Sequence, residues 1–591
     1  MPARALLPAA LAALFAGWCG TFARGVAWEA AAVGQLAVLA VAAAGGAALP
    51  DPLRLGRWGR WLPPALVALA AASLFASPVP RAGRVGLLLL PAYLLLPAAM
   101  ERSWRSEDAA RWGMRVLAAV VAGVAAWSIL SWRAGLSPRP AEPLGHHGLL
   151  AAWLAILLPL ACLPILERGA WRWLGWVGSG LALIAILNSR SLAAWVAVAA
   201  QGAVLAWASR RRFGFRRVAL GAAVAGIPLL LSLPRIFHVL AGADPSARAR
   251  FTYWQAGWEG FLARPLLGWG PGSTPWTVAR FFDPVPGVNP PGEAVGELHS
   301  LPLQLLYELG IVGALAAAAL VAIFAVRRAR DLAAAASPLA AAGLLGLLGA
   351  GVCALASGAL AVTALPLAAA LAAGAALTGA PEQAPRRALG WPAPLYAALA
   401  CGLLVPLALA HRHYDRAAQA GALRPLRAEL LEAVRWDPAF PLYRARLAAH
   451  HQRTLADRLA AADQALRAAQ DADAVAALWV QAAVLGANAR RPWAPAALAR
   501  ARALDPLQPL PRAERGAPLA DIEAGGEASG GWSISLYLFR RRPWPAPLVR
   551  LPAPISADAA ENPVGNDVGR GGKLRQGNAL QQFAQAVVQP P

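Results

Sequence analysis

The sequence predicts an all-α fold: a polytopic transmembrane bundle of about 12–13 helices with a large outer loop and a C-terminal helical domain. Three observations predict it: a shortage of charge, apolar runs long enough to span a bilayer, and arginine clusters that alternate between those runs. Of the 591 residues, 58% are hydrophobic and 14% charged, with a mean hydropathy of +0.48. An ordinary soluble domain carries about 25% charge. Lipid is therefore the solvent for much of this chain.

With a window of about 19 residues, apolar spans fall near 5–22, 30–49, 62–79, 85–100, 112–131, 147–166, 172–188, 190–208, 217–233, 302–326, 338–358, 360–379 and 392–410. The domains expected from this pattern are N-terminal membrane helices over 1–233, an outer loop over 234–301 and further membrane helices over 302–410. Beyond them come a helical domain over 415–512 and a mostly disordered tail over 513–591, with one strand-like run at 532–539. Cys19, Cys162, Cys353 and Cys401 each lie inside an apolar run without metal-ligand spacing, and read as small packing residues.

The formal net charge is +23, and every basic residue except Lys573 is Arg. A nucleic-acid surface is excluded, because the arginines form no stripe with interleaved aromatics but recur in short clusters between apolar runs. One set of loops holds Arg54, Arg57 and Arg60, then Arg102, Arg105 and Arg111, then Arg168 and Arg172, then Arg210 to Arg212, Arg216 and Arg217, then Arg327, Arg328 and Arg330, then Arg386 and Arg387. The alternate short loops hold only Arg24, Arg81, Arg84, Arg133 and Arg139. The positive-inside rule places the first set in the cytoplasm, and with it the segments 234–301 and everything after about 411 outside.

That C-terminal segment is rich in Ala, Arg, Leu and Asp, and Asp437-Pro438, Asp471 and Asp505-Pro506 recur at intervals of 34. This is the period of tetratricopeptide helix pairs, with Ala433 and Ala501 as small packing residues four before the flanking aspartates. A plain helical bundle stays open, because the middle repeat lacks the proline and the usual Trp-Leu-Gly-Tyr start is absent.

Polar groups at membrane boundaries are costly, so those that remain are candidates for function. The turn Asn188-Ser-Arg190-Ser holds an Arg that serves either as a snorkelling anchor or as a ligand. In the outer loop, Arg250, Trp254 and Trp258 lie four apart on one helix face, either as an aromatic-belt helix or as a holder of an anionic group beside a greasy chain. The stretch Pro265-Leu-Leu-Gly268-Trp-Gly270-Pro-Gly272 reads as a turn before it reads as a phosphate nest. His299 stands at the mouth of the next helix, in Glu297-Leu-His299-Ser300, with Glu308, Gly310 and Gly313 following; a histidine near neutrality suits proton transfer. His147, beside His146 in another outer loop, is a weaker candidate for the same cavity.

Taken in order, Arg190, Arg250 with Trp254, Pro265 to Gly272, His299, and Glu308 with Gly310 and Gly313 resemble the motifs of the O-antigen ligase and polymerase superfamily. The resemblance covers roughly residues 145–326. It departs at Ser300, where the family has Asn, and at Ser191-Leu192, where it has Gly-Ala. It implies a glycan on undecaprenyl diphosphate, transferred at the outer face of a bacterial inner membrane, with inversion and without a metal or other cofactor. The acceptor would be a hydroxyl of lipid A core, another glycan or a protein. Residues implied for catalysis are His299 as base with Arg250 and Arg190 on the diphosphate; Trp254, Trp258, His147 and Glu308 are the expected substrate-binding residues. A polymerase or a protein O-oligosaccharyltransferase would use the same residues. A transporter of lipid-linked glycan is the reading from another class, and it is disfavoured because the charges gather at one face and not in a central cavity.

Overall fold

The computed structural model describes residues 51–208, 244–289, 295–334, 337–356, 364–378, 392–419, 423–451 and 455–506, with Leu11 and a few positions between 230 and 241. The spans expected near 5–22, 30–49 and most of 217–233, and the tail after 513 with its run at 532–539, lie outside the described residues. Every regular element described is helical. In chain order these are α1 (Leu62–Phe75), α2 (Pro80–Ser103), α3 (Glu107–Arg133), α4 (His147–Ala161), α5 (Ala170–Ser189), α6 (Leu192–Ala208), α7 (Pro245–Ala263), α8 (Leu301–Ala334), α9 (Pro338–Ala356), α10 (Ala364–Leu377) and α11 (Pro392–Gln419). Five further helices follow: α12 (Leu423–Trp436), α13 (Pro441–His450), α14 (Leu455–Asp471), α15 (Ala476–Asn488) and α16 (Ala494–Leu504). Among the described residues, six helices are long and apolar enough to cross a membrane: α2, α3, α4 with its extension to Leu166, α5, α8 and α9.

Local sequence explains the ends of these helices. Ser106 caps α3 by accepting the Ala109 N–H, Glu107 and Asp108 occupy the first turn, and Arg133 occupies the last, each placed to complement the helix dipole. Asp244 caps α7 through the Ala247 N–H, with Pro245 at the first position. The centre of the bundle is α4, whose residues from Leu150 to Leu158 are buried on every side against α3, α5, α9 and α10. Small residues bring the helices this close. A Cβ on Gly343 would stand 2.4 Å from the Ala376 nitrogen, and one on Gly346 would stand 2.7 Å from the Ile156 carbonyl. Among the polar side chains held inside, Gln201 on α6 donates to the carbonyls of Ala155 at 2.9 Å and Leu345 at 3.0 Å, tying α6 to α4 and α9.

Arginine-bearing loops sort to two ends of the bundle. At one end Arg54 pairs with Glu101 at 3.1 Å and donates to the Leu377 carbonyl, while Arg328 donates to the Arg54 carbonyl. Loops that the alternation put on one side thus converge. At the other end the α1–α2 corner meets the outer loop and the C-terminal helices. Arg264 donates to the Ala76 carbonyl, Arg81 pairs with Asp437, and Arg280 pairs with Asp473.

From α11 to α16 each helix packs on the next, and Asp437, Asp471 and Asp505 each mark the end of a helix. Two helices thus fall in each interval of 34, α13 with α14 and then α15 with α16. Alanines fill the shared core: Ala433, Ala465, Ala468, Ala482 and Ala497 are buried together with Phe440, Tyr443 and Leu478. Ala82 and Trp276, from the membrane-side corner and the outer loop, belong to this same core.

Candidate active site at the mouth of α8

The segment between α6 and α8 folds on a small core of its own, in which Tyr253, Ala256, Trp269, Val278, Phe282, Leu298 and Tyr307 are buried. The α7 helix supplies one wall. Its glycines face that core: a Cβ on Gly257 would meet Leu298 at 2.6 Å, and one on Gly260 would meet the Tyr307 ring at 2.2 Å.

The glycine-rich turn is consumed by packing. Gly268 (φ +68°) lies against the Glu308 backbone, Gly270 (φ +103°) against Ser77 and Gly272 (φ +68°) against the Ala82 carbonyl, so no side chain fits at any of the three. The N–H groups of Trp269 and Gly270 donate to the carbonyls of Tyr307 and Glu308, and that of Gly272 donates to the Glu308 carboxylate. These donors are spent inside the protein, which favours the turn reading over the phosphate nest.

Glu308 sits beneath this turn as its clasp. Its oxygens accept from the Gly272 N–H at 2.8 Å, the Thr274 hydroxyl at 2.7 Å and the Gln304 amide at 2.5 Å. Gln304 in turn donates to Thr274 and accepts the Leu298 N–H at 2.9 Å. One short network therefore joins the glycine turn to the segment that carries His299.

That segment, 295–300, has no regular secondary structure. Leu298 is fully buried against α7, and Glu297 and His299, one to either side, keep side-chain exposures of 30% and 33%. His299 adopts φ +52°, a left-handed conformation that is uncommon outside glycine and is often found where function requires it. Its ring lies 5.8 Å from that of Tyr253, and its Nδ1 is 3.4 Å from Glu297 Oε1. Arg250 stands one turn before Tyr253 on α7, and its charge acts on both groups. Burial, reinforced by Arg250, lowers the His299 pKa to about 4. Sequence alone suggested a value near neutrality; the enclosing walls and the adjacent guanidinium are the reason for the difference. At pH 7 the imidazole is neutral and free to accept a proton. Burial pushes Glu297 up to about 7, with Arg250 opposing.

The structure thus brings Arg250, Glu297 and His299 together. Arg190 is presented by a separate turn, at the left-handed C-terminus of α5 (φ +55°), where Ser189 accepts the Ser191 N–H and Trp195 donates to the Ile186 carbonyl. Trp254 lies on the same flank of α7 as Arg250, edge-on to Phe251, and its indole N–H has no partner among the described residues. Trp258 is half exposed beside Phe261. His147 opens α4, 3.4 Å from an Arg139 nitrogen, with its ring tilted against that of His146. Sequence reasoning passed over Glu297, Gln304 and Tyr253. Glu297 had a signal in its position two before His299, and Gln304 had one in its i,i+4 spacing to Glu308. Tyr253 had none. Among the described residues no three or more His, Cys, Asp and Glu side chains converge as metal ligands would.

No curated protein matches the chain. Residues 177–318 match the O-antigen ligase family model, a stretch that holds Arg190, Arg250, Trp254, Trp258, His299 and Glu308 and supports placing the protein in the O-antigen ligase superfamily.

Proposed function

We propose that the protein is a membrane glycosyltransferase of the O-antigen ligase type. It takes a glycan from an undecaprenyl-diphosphate donor and passes it to an acceptor hydroxyl on lipid A core, another glycan or a protein, at the outer face of a bacterial inner membrane. The observation that carries this reading is the juxtaposition of a neutral His299 with Arg250 at the mouth of α8, inside the family-matched segment. The surplus of arginine at the opposite end of the bundle supports an outward-facing site.

In the reaction, the acceptor oxygen bonds to the anomeric carbon of the donor sugar as the bond from that carbon to the diphosphate oxygen breaks. His299 accepts the hydroxyl proton, and its depressed pKa keeps the accepting form populated. Charge builds on the departing diphosphate, where the guanidinium forks of Arg250 and Arg190 bind it bidentately. Trp254 and Trp258, along the flank of α7, flank the donor's lipid–sugar junction. Residues 1–233 and 302–410 are then the membrane domain, 234–301 the catalytic loop and 415–512 a tetratricopeptide-like module that selects acceptor or partner.

The test is a deletion strain complemented with His299→Ala. We expect transfer to fall by about 10²–10⁴ while donor affinity stays nearly unchanged, and lipid-linked donor to accumulate. Wild-type surface glycan from a normally inserted His299→Ala protein would remove the base assignment.

A further inference from the structure

Glu297 takes no part in the scheme above, yet it stands beside the one group assigned to move a proton. Three geometric facts define its position. Its side chain and that of His299 meet around Leu298, which is plugged into the loop core between them. Leu298 is also fixed through its N–H to Gln304, so the segment cannot rotate freely about that point. Finally, Glu297 Oε1 is 3.4 Å from Nδ1 of His299 and faces that nitrogen, leaving Nε2 as the other ring nitrogen.

We propose that Glu297 is the positioning carboxylate of His299: by accepting the Nδ1–H it fixes the tautomer whose Nε2 lone pair meets the acceptor hydroxyl. The proposal rests on the reading of His299 as the base. A separation of 3.4 Å is longer than a formed hydrogen bond of about 2.9 Å, and such pairs commonly tighten when substrate closes the site. As the acceptor oxygen bonds to the sugar, its proton passes to Nε2 and the ring becomes an imidazolium. The Glu297 carboxylate then lies against that new positive charge without taking the proton itself, and the proton leaves to solvent after product release.

The surroundings make this pairing necessary. The charged group facing the pair from α7 is Arg250, which opposes an imidazolium, and Tyr253 adds an aromatic wall. From α8, Glu308 is turned to Gly272, Thr274 and Gln304, and Gln304 itself is neutral. An imidazolium formed here would meet Arg250 uncompensated unless Glu297 were ionised. Because burial sets Glu297 to titrate near pH 7, the active carboxylate form grows in as pH rises through neutrality.

Glu297→Gln keeps the shape and removes the charge, and Glu297→Asp keeps the charge on a shorter arm. The first readout needs no glycosyl donor. Purified full-length protein in detergent is acylated with diethyl pyrocarbonate between pH 5 and 9, and modification of His299 is followed by peptide mass spectrometry. In wild type the rate at His299 should rise through about pH 7. In Glu297→Gln that inflection should vanish, and in Glu297→Asp it should persist. The second readout is transfer in the complemented deletion strain. Glu297→Gln should be slower by about 10- to 100-fold, within the range by which a general base contributes, with donor binding retained. Matching acylation profiles in wild type and Glu297→Gln, together with wild-type transfer, would overturn the proposal. If His299→Ala were itself fully active, the underlying assignment of the base would fall instead, and the two failures are thereby told apart.

Discussion

Arg250 contributes to the site in two separable ways. As a charge it lowers the pKa of His299 and opposes the rise at Glu297. As a planar fork it offers paired N–H donors to a diphosphate. Arg250→Lys separates the two, because the ammonium keeps the charge and loses the fork. The titrations of His299 and Glu297 should stay near their present positions, while donor binding weakens by about 1–3 kcal/mol, the scale of a charged hydrogen bond. Equilibrium binding of lipid-linked donor to purified protein checks this, and undiminished affinity would mean that Arg250 acts on the site through its charge alone. Glu297 also bears on stability. A carboxyl whose folded pKa is raised to about 7 favours the folded state only while it is protonated, and that advantage is lost as pH climbs from its ordinary range through 7.

Among the elements, α8 shows how a break in a helix builds a site. At Gly310 (φ +67°, ψ −175°) the helical path is interrupted, and the turn of helix before it becomes part of the loop. The interruption leaves the carbonyls of Tyr307 and Glu308 to accept from Trp269 and Gly270, and lets the Ile311 N–H reach the Pro265 carbonyl. Ser73 of α1 donates to Leu267 and Glu308 at the same junction. A Cβ at Gly310 would lie 2.2 Å from the Leu266 carbonyl oxygen, in a conformation that L side chains rarely adopt. Gly310→Ala should therefore destabilise the loop by at least the 1–3 kcal/mol or so that a strained backbone costs. Gly351 on α9 is the control, since a Cβ there meets nothing within 4 Å and Ala is the better helix former. Thermal unfolding of the two variants in detergent should show a lowered midpoint for Gly310→Ala and none for Gly351→Ala. Equal midpoints would mean that the turn tolerates another path.

At the scale of the whole molecule, the C-terminal helices are joined to the membrane domain and do not hang from it. Arg81 is 8% exposed and Asp437 2%, their atoms come within 2.5 Å, and the guanidinium lies 3.7 Å from the Phe440 ring centroid. Trp276 of the outer loop meets Phe440 edge-on, and Arg280 reaches Asp473. Trp276 lies two residues after Thr274, which is bonded to Glu308 and Gln304. The C-terminal helices are therefore in mechanical series with the segment that bears His299. Arg81→Ala leaves Asp437 buried without its ion-pair partner, a loss of about 3–5 kcal/mol, whereas Arg81→Leu with Asp437→Leu should recover most of it. The comparison is made by thermal unfolding of the full chain. A single variant as stable as wild type would show that this pair does not anchor the domain.

The all-helical class and the six membrane-length apolar helices among the described residues were legible in the sequence, because each depends on local composition or periodicity that needs no partner to be visible. The order of the site motifs was legible too, from Arg190 to Gly313, since the family match rests on residues near one another in the chain. What the sequence left undecided depends on residues far apart in it. Whether the glycine turn binds phosphate or packs was settled by Ser77, Ala82 and Glu308 lying against it. The depressed pKa of His299 required the walls of the loop core and Arg250 some fifty residues earlier. The union of Arg81 with Asp437 spans 356 positions. Periodicity reports how each segment meets its solvent, while distances, burial and charge environment arise only when distant segments exclude solvent from one another. The sequence therefore determined a helical membrane protein with its candidate residues in order, and the tertiary structure alone decided which of them share one environment.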